Sequence, residues 1–117
     1  MARLAQLDLE QHNGVTIARV DGEIDLSNAA ELEVAISHAV GNEALGLVVD
    51  LVRVDYLDSS GVTLLFNLAR RLSRRQQEFL VVVPGEAHVR EILSLSGAAE
   101  ALALHESLAE AMSRLNR

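Results

Sequence analysis

The stretch Leu57-Asp58-Ser59-Ser60-Gly61-Val62 decides how this chain is read. Before it runs Leu45-Gly46-Leu47-Val48-Val49-Asp50-Leu51-Val52, an almost unbroken apolar segment. After it comes the longest helical pattern of the chain, from Ser60 to Arg75. A short apolar run of this kind suits a central strand covered on both faces. Asp and Ser at a strand-to-helix junction start helices, because their side-chain oxygens accept from the first unpaired backbone N–H groups. The segment Arg53 to Leu57 then reads as the connection from the strand to the serine turn. A serine hydroxyl held at that turn is also placed to carry a phosphate, since a helix N-terminus offers donors and a positive dipole end.

Downstream of the turn, Val62, Leu65, Phe66, Ala69 and Leu72 form one apolar stripe, and Leu64 and Leu68 widen it. A helix patterned this way is covered on more than one side. Phe79 to Val83 is a second apolar strand, ended by Pro84, the only proline. Val89, Ile92 and Leu93 mark a short helix that stops at Gly97, and Ala101 to Leu104 reads as a last short strand. Ser107 and Glu110 have capping-box spacing, and Leu108, Ala111, Met112 and Leu115 supply the apolar face of a C-terminal helix.

Upstream, Leu7 and Leu9 alternate with Asp8 and Glu10, the pattern of a half-buried strand. Asn13-Gly14 is a hairpin turn, and Val15 to Val20 is the return strand. Asp21-Gly22 breaks that strand, and Glu23-Ile24-Asp25 continues as an extended piece or a loop. A helix follows, capped by Asn28 with Glu31 three residues on, or by Ser27. Its apolar face is Leu32, Ala35, Ile36, Ala39 and Val40, and Gly41-Asn42 ends it.

The order is strand, strand, helix, strand, helix, strand, helix, short strand, helix. Helices alternating with buried strands imply an α/β fold with a mostly parallel sheet, which the opening hairpin makes mixed. Other small α/β folds share this order, and the pattern alone does not choose among them.

Composition narrows the function. The 117 residues fit one domain, 1–117, with a core of Leu, Val, Ile and Ala, because the aromatics are only Tyr56, Phe66 and Phe79. Ten basic against 17 acidic residues give a net charge of −7, which disfavours nucleic acid and anionic membranes. There is no cysteine, so disulfides and thiolate metal sites are excluded. No apolar run is long enough to span a bilayer and no signal-peptide core is evident. His12, His38, His88 and His105 are scattered without metal-ligand spacing and read as surface residues. No nucleophile elbow or phosphate-binding glycine loop is present, and no cofactor site is expected. Arg70, Arg71, Arg74 and Arg75 have two readings, a basic docking patch or, the preferred one, a solvated helix end opposing the negative dipole terminus, partly offset by Glu78.

Asp58-Ser59-Ser60-Gly61, with Asp21-Gly22-Glu23-Ile24-Asp25 before it and Leu93-Ser94-Leu95-Ser96-Gly97 after it, resembles the STAS domain of bacterial anti-sigma factor antagonists. The resemblance runs from about Leu7 to Leu115, and the Asp-Ser-Ser-Gly block is its most specific part. It implies a STAS fold, with a mixed sheet of four to five strands and about four α-helices. It implies a cytoplasmic regulator of transcription rather than an enzyme. In that family the first serine of the block is phosphorylated, and here that serine is Ser59. The unphosphorylated form binds an anti-sigma factor that is also a serine kinase and so frees a sigma factor. Phosphorylation ends the interaction, and a serine phosphatase resets it.

Taken alone, Ser59 reads as a helix cap worth on the order of 1 kcal/mol, and Asp25 and Asp58 read as turn residues. The resemblance adds a role for each: Asp25 in the phosphorylation and partner region, Asp58 as the acid before the phosphoserine. Ser60 helps begin the helix, Gly61 allows a close backbone approach, and Thr63 stands where the family commonly has glycine. The expected partner surface is therefore Asp25, Asp58, Ser59, Ser60, Gly61 and Thr63. A phosphate adds roughly −1.5 to −2 charges beside two carboxylates. It should change a binding surface more than unfold the domain. Two rival readings stand beside this one. The first is a STAS scaffold subunit of a signalling assembly or membrane-transport complex, which an exposed Leu64 or Leu68 would favour. The second is an enzyme with Ser59 as nucleophile.

Overall fold

The computed structural model describes residues 4–115. Five strands form one sheet in the order β1-β2-β3-β4-β5. β1 (Gln6–His12) and β2 (Val15–Ile24) are the expected antiparallel hairpin, turned at Asn13-Gly14 with both residues in the left-handed region. α1 (Ala29–Ala39) leads into β3 (Gly46–Leu57), which pairs parallel with β2. α2 (Ser59–Arg74) leads into β4 (Glu78–Val82), parallel to β3. α3 (His88–Leu95), α4 (Ala98–Ala101), β5 (Leu104–His105) and α5 (Leu108–Leu115) complete the order. The sheet is mixed, as the hairpin implied, and its five strands fall within the four to five expected, with five helices where about four were expected.

β3 is central because its alternating residues serve two cores. Leu47, Val49 and Leu51 are buried with Leu32 and Ile36 of α1, Leu64, Leu65, Leu68 and Leu72 of α2, and Val89 and Leu93 of α3. Val48 points the other way, to a smaller core with Val15, Ile17, Leu80 and Val82 that Ala111 of α5 covers. Leu108, Met112 and Leu115 pack around that second core, as their spacing predicted. Full burial of each Leu or Val contributes about 1.5–3 kcal/mol.

Several local expectations change. Asp21-Gly22 does not end β2. The strand runs on to Ile24 through register shifts that absorb the irregularity. β3 likewise continues through Arg53 and Asp55 to Leu57, because β2 still supplies its hydrogen bonds there. Leu45 lies outside that strand and is 55% exposed, and Leu9 on the edge strand is 41% exposed. The capping box at Asn28 does not form, since the Asn28 side chain turns back onto the preceding loop. Ala98–Ala101 is a short helix, so the last strand is only Leu104–His105. Ser107 caps α5 through the Glu110 N–H at 3.1 Å, but the Glu110 carboxylate goes to His105 Nδ1 at 2.9 Å. His105 is therefore half-buried and paired, while His12, His38 and His88 are exposed. No helix of the described residues is long and apolar enough to cross a membrane.

Candidate functional site

β2 and β3 end side by side, with Ile24 opposite Leu57. The two loops that follow them are therefore neighbours. The Asp58 N–H donates to Ile24 O at 3.2 Å, and the Asp58 carboxylate does the rest. Its Oδ1 accepts from Ser60 N at 2.8 Å and Gly61 N at 3.3 Å, capping α2. Its Oδ2 accepts from the backbone N–H of Leu26 at 3.3 Å, in the loop after β2. The cap is thus Asp58, and Ser59 is the first residue of the helix proper. The reading of Ser59 as the cap is corrected. Among the described residues its hydroxyl makes no hydrogen bond, and the residue is exposed. The next two backbone donors, the N–H groups of Ser60 and Gly61, are already engaged by Asp58.

The facing loop is ordered from within. Asp25 Oδ1 accepts from the N–H of Ser27 at 2.9 Å and from the Ser27 hydroxyl. Asn28 closes the loop, accepting from Asp25 N and donating to Glu23 O, each at 2.9 Å. The Ser27 hydroxyl, and then the Ser27 N–H, hold the Asp25 carboxyl below the usual aspartate range. These bonds present the side chain of Leu26 outward, 82% exposed.

Gly61 sits where the helix start meets both strand ends. A Cβ there would lie 2.8 Å from Leu57 Cβ and 3.3 Å from Ile24 Cγ2. The close approach expected at Gly61 is thus real, and it sets the distance of α2 from the sheet. Between α1 and α2 runs a groove of about 290 Å³, lined among others by Leu26, Ala30, Ser59, Thr63 and Leu64. Its far end is closed by Asn67 Nδ2 donating to Glu33 Oε1 at 2.9 Å.

The structure therefore gathers Asp25, Asp58, Ser59, Ser60, Gly61 and Thr63 at one end of the sheet. Sequence reasoning missed Leu26, Ala30, Glu33 and Asn67. Only Leu26 left a signal, an apolar residue between two turn-forming side chains. None of the four histidines bonds to Ser59. Among the described residues no group of three or more His, Asp or Glu is placed to hold a metal ion.

Comparison with known proteins agrees with this architecture. The family model described as the STAS domain matches residues 6–111. The anti-sigma-F factor antagonist RsfB of Mycobacterium tuberculosis is 35% identical over 101 residues, 86% of this chain and 81% of the relative. The crystal structure of an anti-sigma factor antagonist from Mycobacterium paratuberculosis superposes with a TM-score of 0.85 at 32% identity, covering 97% of this chain and 95% of that one. SpoIIAA in its unphosphorylated form shares the fold, with a TM-score of 0.76 at 24% identity over 94% of this chain and 96% of its own. With Asp58, Ser59 and Gly61 arranged as described, the chain belongs to the STAS domain family, among relatives that are anti-sigma factor antagonists.

Proposed function

We propose that this protein is an anti-sigma factor antagonist switched at Ser59. Unphosphorylated, it binds an anti-sigma factor that is also a serine kinase, and so releases the sigma factor. Phosphorylation of Ser59 by that kinase ends the complex, and a serine phosphatase restores it in the cytoplasm. The observation that carries this reading is the Ser59 hydroxyl itself. It is exposed, unbonded among the described residues, and fixed in place because its neighbour Asp58 does the capping. The names of the relatives support the antagonist role. SpoIIAA, which shares the fold, has structures in both unphosphorylated and phosphorylated forms.

The electrostatics give the switch its sign. Two of the helix donors that would receive a phosphate, the N–H groups of Ser60 and Gly61, are occupied by Asp58. A phosphate on Ser59 therefore adds charge next to the Asp58 carboxylate, whose other oxygen holds the Asp25 loop, in the surface a partner must cover. Burying that uncompensated dianion costs a few kcal/mol, enough to end binding. Leu64 and Leu68 are 2% and 0% exposed, so the exposure that would favour a passive scaffold is absent at both.

The test is a paired capture from host lysate with Ser59→Ala and Ser59→Glu baits. An ATP-binding, kinase-like partner held by the alanine bait and lost with the glutamate bait is the expected result. Equal capture of the same partners by both baits would reject the switch and favour the scaffold. A fluorophosphonate probe should leave the native protein unlabelled; labelling at Ser59 would instead indicate a nucleophile.

A further inference from the structure

We infer that the C-terminal end of α2 is a second docking surface, separate from the Ser59 site, and that it takes an acidic segment of a protein. The starting observation is how the arginines are partnered. Arg19 reaches Glu10 at 2.6 Å and Asp8 at 3.8 Å, Arg53 reaches Asp21 at 3.9 Å, and Arg90 reaches Glu106 at 3.1 Å. Arg70, Arg71, Arg74 and Arg75 reach no carboxylate among the described residues, although the chain has 17. Among the described residues the Arg70 guanidinium bonds only to Asn67, and that of Arg75 only to Asn42 at 2.6 Å. Arg71 and Arg74 are exposed and bond to nothing described. Glu78, expected to offset the cluster, pairs with none of them.

Opposing the helix dipole does not require four cations. Arg70 with Arg74 and Arg71 with Arg75 are like charges at i, i+4, a spacing at which they repel and weaken the helix. Such an arrangement gains when an anion covers it. Between Arg70 and Arg74 the small side chains of Ala69 and Ser73 line a shallow depression. A segment carrying carboxylates at helical spacing can lie there and meet both guanidinium groups.

The charge of the whole molecule selects the kind of anion. The chain carries −7 in total, so outside these four arginines it is more acidic still. A long polyanion such as a nucleic acid extends past the patch into that field, whereas a short acidic segment ends within it. The patch is also distant from Ser59. α2 has 16 residues, which at the α-helical rise puts its end roughly 22 Å away. A partner seated at Ser59 leaves the arginines at its rim or beyond.

The experiment is an NMR titration of the full-length 15N-labelled chain with a short helical peptide bearing glutamates at i, i+3, i+4 and i+7. The same peptide with glutamines and an oligothymidylate of equal charge serve as comparators. Expected are saturable shifts confined to Ala69 to Gln76, abolished in Arg71→Glu/Arg74→Glu, weakened by at least about tenfold in Arg71→Gln/Arg74→Gln, and absent with the glutamine peptide. Shifts scattered over the molecule, or a titration unchanged in the variants, would overturn the proposal. Oligothymidylate binding as tightly as the acidic peptide would also overturn it and assign the patch to nucleic acid. The arginines are on the surface, so the variants keep the fold, which circular dichroism checks.

Discussion

The carboxylate of Asp58 accepts from the backbone N–H of Leu26, 32 residues upstream, at 3.3 Å, while its other oxygen caps α2. One side chain thus fixes the helix that carries Ser59 and the loop that presents Leu26. Asp58→Ala should lose the cap and free the loop, lowering stability by about 0.5–2 kcal/mol. Asp58→Asn can keep one acceptor and should fall between the two. Urea denaturation measures both, and an unchanged midpoint for the alanine variant would show that the cap carries no stability.

Ser59→Ala should be silent in the same assay, within about 0.5 kcal/mol of the parent, because the hydroxyl holds nothing. A loss near 1 kcal/mol would return Ser59 to the role of a cap. This contrast between adjacent residues shows which of the two side chains is structural without any partner in hand.

At Gly61 the expectation is steric. An added methyl meets the Leu57 and Ile24 side chains at the sheet's end, so Gly61→Ala should cost about 1–3 kcal/mol. Gly41 provides the control, since a Cβ there has nothing within 4 Å. Thermal melts of Gly41→Ala should stay close to the parent, and equal losses at both sites would contradict the close approach.

Asp25 gives a pH dependence of definite sign. Its folded carboxyl lies below the ordinary value, chiefly through the Ser27 hydroxyl. The stabilisation is therefore complete above the unfolded aspartate pKa and is lost as pH falls through the lower, folded one. In Ser27→Ala, carboxyl-detected NMR should find the Asp25 pKa moved up toward the ordinary value. Part of the depression remains, because the Ser27 N–H still donates.

Leu26 is the apolar side chain that the Asp25 and Asp58 bonds hold in the open. Leu26→Ala should leave the melting temperature unchanged and weaken capture of the partner proposed for the Ser59 surface by about tenfold or more, as a central apolar anchor does. Calorimetric titration with the partner identified by the Ser59→Ala bait reads this directly. Undiminished affinity would place Leu26 outside the interface.

Much of the fold was legible because apolar spacing carries it. The run through Leu47, Val48 and Val49 needs cover on both sides, and α5 and the α1, α2 and α3 group supply it. The hairpin followed from Asn13-Gly14 alone. The failures have a common origin, since polar residues take structure from neighbours that spacing does not reveal. Arg53 and Asp55 interrupt the apolar run yet remain in β3, because β2 pairs with Arg53, Val54 and Tyr56 and the register shift absorbs Asp55. Asn28 has a capping-box partner in Glu31 but spends its side chain on Asp25 and Glu23. In the candidate site, the Asp-Ser-Ser-Gly block marked the strand-to-helix turn that opens α2. It did not say which residue was the cap, because the competing acceptors are adjacent and differ only in where their oxygens point. The link from Asp58 to Leu26 crosses the sheet's end, so no local pattern records it.

The strand order also bears on how the chain acquires its structure. Every strand lies beside the one made just before it, so each can pair as it emerges during synthesis, with no slot held open for a later segment. The second face of the sheet is the exception. Val15, Ile17 and Val48 are in place early, but their cover is α5, the last of the described elements. A nascent or truncated chain lacking that helix carries a sticky apolar surface, and it is in that interval that such a chain most needs a chaperone.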